Sequence, residues 1–410
     1  MSLISLFRKK KFVSTGSLSR MVWRRFKKNK PAFFSLFFIV FATLIAVLGY
    51  LISPDSTPFA NDQHLELTTK KPGTKVEMLL VRKNEAAFKQ NIFSTMIWGR
   101  KSDFITVPIN SYHFDGSNII VESFTDALGE KGEEISYNMA DVAYALPDRK
   151  AVKAEGDQLV FTDVEGGSHR ESFAALREKI EKENIISKRF LLGTDRYGRD
   201  MLSQLLIGTR VSLSVGFISV IISLLIGLLL GSLSGFFRGW VDNLIMWFIN
   251  VVWSIPTLLL VIAITFALGK GFWQVFIAVG LTMWVDVARV VRGQILSIRE
   301  KEFVEAGRAL GFTNSRIIIR HILPNVMGAV IVISAANFAS AILLEAGLSF
   351  LGIGVQPPMP SWGTMIKEHY GYIILDSAYL AILPGLAIML MVLAFMLVGN
   401  GLRDAMDSKG

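Results

Sequence analysis

Six stretches of this chain are each apolar for about 20 residues, and nothing else in the sequence restricts its fold so strongly. They run roughly 32–52, 211–236, 244–268, 272–290, 326–349 and 378–400. A bilayer core about 30 Å thick is crossed by a helix of about 20 residues, so six spanning helices are predicted. Composition agrees. Hydrophobic residues make up 51% of the chain and charged ones 19%, against about 25% charged in soluble domains, and the mean hydropathy is +0.45. Soluble multidomain, disordered and fibrous classes are thereby set aside. With no cysteine present, disulfides, thiol catalysis, thiolate metal sites and iron–sulfur clusters are excluded. His64, His113, His169, His321 and His369 show no metal-ligand spacing.

Lys and Arg asymmetry in short loops sets sidedness. Arg8, Lys9, Lys10, Lys11, Arg20, Arg24, Arg25, Lys27, Lys28 and Lys30 precede the first span and place the N-terminus in the cytoplasm. That span is too long for an ordinary signal peptide and no small-x-small cleavage site follows, so it reads as an uncleaved anchor. Six spans then return the C-terminus to the cytoplasm. The loops agree: 269–271 and 350–377 hold only Lys270 and Lys367, whereas 289–325 holds Arg289, Arg292, Arg299, Lys301, Arg308, Arg316 and Arg320. The formal charge of +9 has the same origin. Residues 53–192 carry 18 Lys/Arg and 22 Asp/Glu, and the basic excess lies in the remainder, as expected for protein facing an anionic leaflet. No aromatic-interleaved basic face supports a nucleic-acid partner.

Between spans one and two lie about 140 polar residues. Strands are predicted over 75–81, 104–109, 118–124 and 158–161, with turn signals at Pro72-Gly73, Asp115-Gly116 and Gly166-Gly167. A helix is predicted over 172–184 from the stripe Phe173, Leu176 and Ile180. The expected organisation is therefore 1–52, a basic N-terminus and first span; 53–190, an extracytoplasmic α+β insertion without a catalytic constellation; and 191–410, five further spans. The carboxylates of the insertion fit either a solvated surface or a docking or gating accessory for a soluble partner.

The loop 299–325 reads REKEFVEAGRALGFTNSRIIIRHILPN. Glu302, Phe303, Ala306 and Leu310 keep a helical period, and Gly311 interrupts as a C-cap would. Thr313 or Asn314 is placed to cap a second helix near Ser315, and Pro324 marks the start of span five. A helix–turn–helix outside the bilayer follows, either as a dock or as a merely solvated loop.

Glu305-Ala306-Gly307, Gly311 and Leu323-Pro324 resemble the EAA signature of ABC importer permeases (E-A-A, three residues, G, nine residues, I-x-L-P). Gly307 stands where the third Ala is usual, and His321 where the Ile is usual. The stretches 192–213 (LGTDRYGRDMLSQLLIGTRVSL) and 348–366 (LSFLGIGVQPPMPSWGTMI), with Trp284, Arg289, Arg292 and Gly293, resemble the C-type permease subunit of oligopeptide, dipeptide and nickel importers. The resemblance is loose over 1–52, close over 190–410, and does not cover the insertion. It implies the six-helix type I importer permease fold. It also implies that 299–324 is a coupling loop seated in an ATPase groove through Glu305, Ala306, Gly307, Gly311, His321, Leu323 and Pro324. The implied partners are a B-type permease subunit, two cytoplasmic ATPase subunits holding ATP and magnesium, and an extracytoplasmic solute-binding protein, all at the inner membrane. Peptides are the family's usual cargo; nickel chelates, sugars and peptide-like compounds use similar subunits.

The flanking motifs also have a direct reading. Met201, Leu202, Leu205 and Leu206 predict a short interfacial helix. Asp195, Arg199 and Asp200 fit a local salt-bridged cap, with too few oxygen ligands for calcium. Gly352, Gly354, Pro357, Pro358 and Pro360 bar a regular helix, and with Trp362 they form an outer loop that either lines the mouth or merely connects. Ser219, Ser223, Gly227, Gly231 and Gly235 recur every fourth residue, which permits close helix packing or a pore lining. Pro256 and Pro384 predict kinks. Charge inside spans is costly; Asp286 and Arg289 are spaced to pair, and Glu345 is either an interfacial cap or a gate. No G-x-x-x-x-G-K-[ST] loop occurs, so nucleotide hydrolysis is expected on another chain. A secondary carrier would need inverted repeats and midplane ion ligands. A signalling protein driven by the insertion would leave the loop motif unexplained.

Overall fold

The computed structural model describes residues 18–86, 90–126, 131–148, 151–269 and 271–406. Arg8, Lys9, Lys10, Lys11 and Lys270, which entered the sidedness argument, lie outside them.

A cationic helix α1 (Leu18–Lys28) leads into α2 (Lys30–Ile52). The Asn29 side chain accepts the Ala32 N–H at 3.3 Å. Pro31 occupies the first turn, where a missing donor costs nothing. The insertion follows: β1 (Lys75–Arg82), α3 (Ile92–Trp98), β2 (Phe104–Asp115), β3 (Asn118–Ser123), β4 (Glu134–Asn138), α4 (Met139–Ala143), β5 (Lys153–Glu155), β6 (Gln158–Thr162), β7 (Ser168–Ser172), α5 (Phe173–Lys179) and β8 (Ile185–Arg189). The strands form two antiparallel sheets in the orders β4-β3-β2-β1-β8 and β5-β6-β7. Leu79 pairs with Val107 on one side of β1 and with Ile185 on the other.

Alternation explains the cores. Leu79 and Val81 of β1 join Ile119, Val121, Leu159, Phe161, Leu176 and Ile180 in one cluster. Val76 and Met78, on the opposite face of the same strand, pack with Leu67 and Phe190. Thus β1 is covered on both faces, which is why its second half reads as an unbroken apolar run. The elements β4, β5, β7, β8, α3 and α4 were not anticipated. They are short, and several owe their place to pairing partners distant in sequence.

The remaining helices are α6 (Met201–Phe237), α7 (Gly239–Trp253), α8 (Thr257–Leu268), α9 (Phe272–Ile298), α10 (Glu302–Ala309), α11 (Asn314–Ile317), α12 (Leu323–Phe350), α13 (Trp362–His369) and α14 (Tyr379–Met406). Among the described residues five helices are long and apolar enough to cross a membrane; a sixth crossing exists if α7 and α8 count as one bent span. Here two expectations change. The stretch 244–268 is not a single helix: its two halves meet at 92°, because Pro256 has no N–H to continue the ladder. The short helix after Asp200 is not separate either. It is the first part of α6, which runs 37 residues, because nothing between 201 and 237 is strong enough to end it. Its length is about 56 Å at 1.5 Å per residue, well beyond one bilayer core. Pro384 lies inside α14, which continues through it.

The row of small residues packs α6 against α9. Ser219, Ser223, Gly227, Gly231 and Gly235 are all buried. A Cβ on Gly231 would lie 2.6 Å from the Ala288 carbonyl oxygen, and one on Gly235 would lie 2.9 Å from the Ile295 Cβ. The Ser219 hydroxyl donates to the Phe276 carbonyl at 3.1 Å.

Candidate functional site

At the C-terminal end of α6 and α9 the chain turns back through α10 and α11. The Gly311 φ of +76° ends α10. The Phe312 N–H donates to the Gly307 carbonyl at 3.0 Å, and the Gly311 N–H to that of Arg308 at 2.9 Å. These two bonds are the Schellman arrangement, which favours glycine at the left-handed position. Thr313 then caps α11 by accepting the Arg316 N–H at 3.4 Å. The Phe312 ring is flanked by the Arg316 guanidinium, 4.1 Å from its centroid, and by the stacked His321 ring at 5.7 Å. A π-helical turn, Ile318–Ile322, joins α11 to α12, with Pro324 in the first turn of α12. Proline there forgoes its own ladder bond, which suits a widened turn.

This hairpin has two faces. Val304, Ile317, Ile318 and Ile322 are buried in one cluster with Phe236, Ile295 and Val326, and Gly307 is buried as well. The stripe read from the sequence is on the other side: Phe303, Ala306 and Leu310 are exposed, as are Glu302, Glu305 and Ile319. Leu310 is 72% exposed and Ile319 63%. Arg299 donates to the Phe236 carbonyl at 2.5 Å, and Arg238 pairs with Glu300 at 2.7 Å. The hairpin is therefore fixed to the helix ends by its inner face, while the other described residues leave an apolar outer face uncovered.

The opposite end of α6 is polar and buried. Arg199 Nε meets Asp195 Oδ2 at 2.6 Å, and its Nη2 meets Glu368 Oε2 at 2.9 Å. Asp195 Oδ1 accepts the backbone N–H groups of Tyr197 and Arg199. Asp200 is not part of that pair. It caps α6, accepting the Ser203 N–H at 2.8 Å, and burial pushes its carboxyl above the ordinary range. Asp195, Glu368 and His369 bring one potential ligand atom each to within 4.8 Å of one another, a grouping that their separation in sequence hides. Arg199 already supplies that cluster with a cation. The His369 Nδ1 lies 2.7 Å from the Met365 carbonyl oxygen, and burial pushes its imidazole below the ordinary value.

Glu345 is 1% exposed. It accepts from Ser349 at 2.7 Å and from Ser212 of α6 at 3.3 Å, and Ser349 in turn accepts the Val355 N–H. Glu345 thus ties α6, α12 and the 351–361 loop together inside the protein and does not reach an interface. Gly352 has φ +79°, and a Cβ on Gly354 would meet Ser349. The Pro357–Pro358 peptide is cis. Trp362 Nε1 donates to the Leu205 carbonyl at 3.2 Å.

Arg289 and Asp286 do not form the expected pair. The Arg289 guanidinium donates to Asn250 at 2.9 Å and lies 3.8 Å from the Trp253 ring centroid. Asp286 instead borders an open cavity between the broken pair α7–α8 and helices α9 and α12. Thr257, Thr282 and Ser340 add polar groups to its largely apolar wall. The sequence did not single out this cavity, because its walls come from four separate helices.

Residues 227–409 match the family model described as binding-protein-dependent transport system inner membrane component, and 17–72 match that of the N-terminal TM domain of oligopeptide transport permease C. Neither covers 73–226. The glutathione transport system permease protein GsiD of Pectobacterium atrosepticum is 42% identical over 218 residues, 53% of this chain and 72% of that protein. The protein of the same name from Escherichia coli O6:K15:H31 is 42% identical over 217 residues, 53% and 71% respectively. Among solved structures, an inward-facing MetNI methionine ABC transporter matches 50% of this chain and 97% of its own with 20% identity and a TM-score of 0.42. The family match and the GsiD relatives set aside the carrier and signalling readings and place ATPase and binding-protein subunits among the partners. The chain belongs to the binding-protein-dependent transport system inner membrane components, and is a multi-pass permease subunit of a peptide-type ABC importer.

Proposed function

We propose that this subunit forms half of the pathway for peptides or small peptide-like solutes, beside a B-type permease subunit. The glutathione transport for which its relatives are named supports that solute class. The α10–α11 hairpin faces the cytoplasm and seats in an ATPase subunit, with Glu305, Ala306 and Leu310 toward it and Gly307, Gly311, His321, Leu323 and Pro324 shaping the element. One observation carries this reading: a hairpin whose inner face is welded to α6 and α9 leaves Phe303, Leu310 and Ile319 bare on the other side.

The chain contributes no hydrolysis of its own in this proposal. Two ATPase subunits closing on ATP move the hairpin as a rigid body. Because that hairpin shares a core with α9 and α12, the motion reaches the Asp286 cavity, which forms one wall of the pathway, and then the Glu345 and Arg199 clusters at the far end. These act as the outer gate, with Asp195, Asp200, Gly352, Gly354, Pro357 and Trp362 shaping it. This is a coupling free energy between two separated sites. Residues 53–190 lie outside, on the side from which a binding protein delivers solute.

The absence of native cysteine makes the test direct. In the assembled transporter, Leu310→Cys is expected to cross-link to the ATPase subunit and to be shielded from an impermeant maleimide in intact spheroplasts. Glu165→Cys, in the insertion, is expected to label. Labelling of Leu310→Cys from outside would overturn the sidedness and the dock together.

A further inference from the structure

The insertion contains one helix that water does not suit. Helix α3 reads IFSTMIW, carries no charge and buries no residue within the protein. Ile92, Phe93 and Trp98 are 68%, 71% and 70% exposed. The helix packs on α2 rather than on either sheet. Met96 and Ile97 line an apolar groove with Ala46 and Val47 of α2 and Leu213 and Phe217 of α6. Ala46 lies six residues before the end of α2, or about 9 Å along the helix. The exposed surface of α3 therefore continues that of Val47, Leu48 and Leu51, which a spanning helix turns to lipid.

Its backbone is provided for in the same sense. Seven residues form too short a helix to persist in water unaided, and in hydrocarbon an unpaired carbonyl has no water to satisfy it. At the C-terminal end, Arg210 of the spanning helix α6 donates Nη1 to the Met96 and Ile97 carbonyls at 3.0 and 2.9 Å. Gln90 donates to the Gly99 carbonyl at 2.9 Å, and the Gly99 N–H serves that of Thr95. At the other end, Asn91 accepts the Phe93 N–H. Arg210 stands nine residues into α6, immediately before the apolar stretch 211–236, at the edge of the hydrocarbon, where its charge needs a polar partner. The helix ends supply that need, and Trp98 beside Gly99 fits the headgroup level, where tryptophan concentrates.

We propose that α3 is a membrane anchor of the insertion, lying in the outer leaflet with Ile92 and Phe93 among lipid chains, Trp98 at the headgroup level and an acyl chain filling the groove beneath it. The leaflet's name rests on the sidedness proposed above; the depth does not.

The test is a nitroxide on single cysteines in the full chain assembled in phospholipid nanodiscs. Phe93→Cys is compared with Leu48→Cys on α2 and Glu165→Cys in an exposed turn. The expected result is that Phe93→Cys collides more with oxygen than with a water-soluble nickel chelate, as at Leu48→Cys, with the ratio reversed at Glu165→Cys. A Phe93→Cys ratio like that of Glu165→Cys would overturn the anchor in favour of a solvated helix. A label shielded from both relaxers would overturn it in favour of a protein partner. Collision ratios report depth and not side, so failure of the sidedness assignment would appear only in the maleimide experiment.

Discussion

Single residues decide the geometry of the hairpin, and glycine serves it twice in different ways. At Gly311 the left-handed φ is the requirement, and any L-residue there is strained by about 1–2 kcal/mol. Gly311→Val is expected to loosen the hairpin and lower both ATPase co-purification and uptake, read by pull-down and transport assay. Gly307 is different. It lies within α10 at ordinary helical angles, and a Cβ there would sit 3.5 Å from Phe312 Cδ2 and 3.7 Å from Ile317 Cγ1, which is normal contact. Gly307→Ala is therefore expected to stabilise the hairpin by about 0.5–1 kcal/mol. Slower amide exchange over 302–309 with uptake retained would show it; faster exchange would contradict the packing described.

At the scale of elements, the α6–α9 pair is the stiff part of the molecule. The small residues of α6 bring its backbone close enough to touch α9 carbonyls, so a side chain cannot be added without parting the helices. Gly231→Leu is expected to lower the thermal midpoint in detergent and the yield of assembled transporter. Overpacking of this kind commonly costs about 1–3 kcal/mol. A midpoint equal to that of the parent would mean that the two helices can separate freely. The pair α7–α8 has the opposite character: it is broken at Pro256 by a 92° bend, and Trp253 and Thr257 on either side of the break line the cavity.

The whole molecule is held together where the insertion leaves and rejoins the spans. The two connecting strands of chain run side by side, with the Phe190 N–H donating to the Thr74 carbonyl at 2.8 Å and Lys70 accepting from Thr194 and Tyr379. Arg199 fastens this base to α13. Arg199→Ala would leave Asp195 and Glu368 unpaired in a buried setting, and removing one member of a buried pair costs about 3–5 kcal/mol. It is expected to abolish assembly at growth temperature, with Arg199→Lys intermediate, as read by size-exclusion yield. Nearby, burial alone would raise Asp62, but hydrogen bonding to His64 and the charges of His64 and Lys188 hold it below the ordinary carboxylate range. The sign follows from linkage. A depressed carboxylate stabilises fully above its unfolded pKa of about 3.9 and loses that contribution as pH falls through the folded value. Protease nicking of 55–70 should rise in acid for the parent and be less pH-dependent in Asp62→Asn.

The sequence by itself determined five long apolar helices, the turn at Gly311, the cap at Thr313 and the spacing of Glu305, Gly311 and Pro324, because each depends on neighbours within a few residues. The strands over 75–81 and 118–124 were legible for the same reason, the first by alternation and the second as a β-rich run, both local signals. What only the tertiary structure decided needs partners far apart in the chain. It turned the Phe303, Ala306 and Leu310 stripe outward, because Val304 and Gly307 fit the core offered by α9. It gave Arg289 to Asn250 and Trp253 and left Asp286 on a cavity wall. It buried Glu345 between serines of α6 and α12, and brought Glu368 and His369 to Asp195. Periodicity states that a helix has two faces; which face is covered depends on what the rest of the fold brings against it.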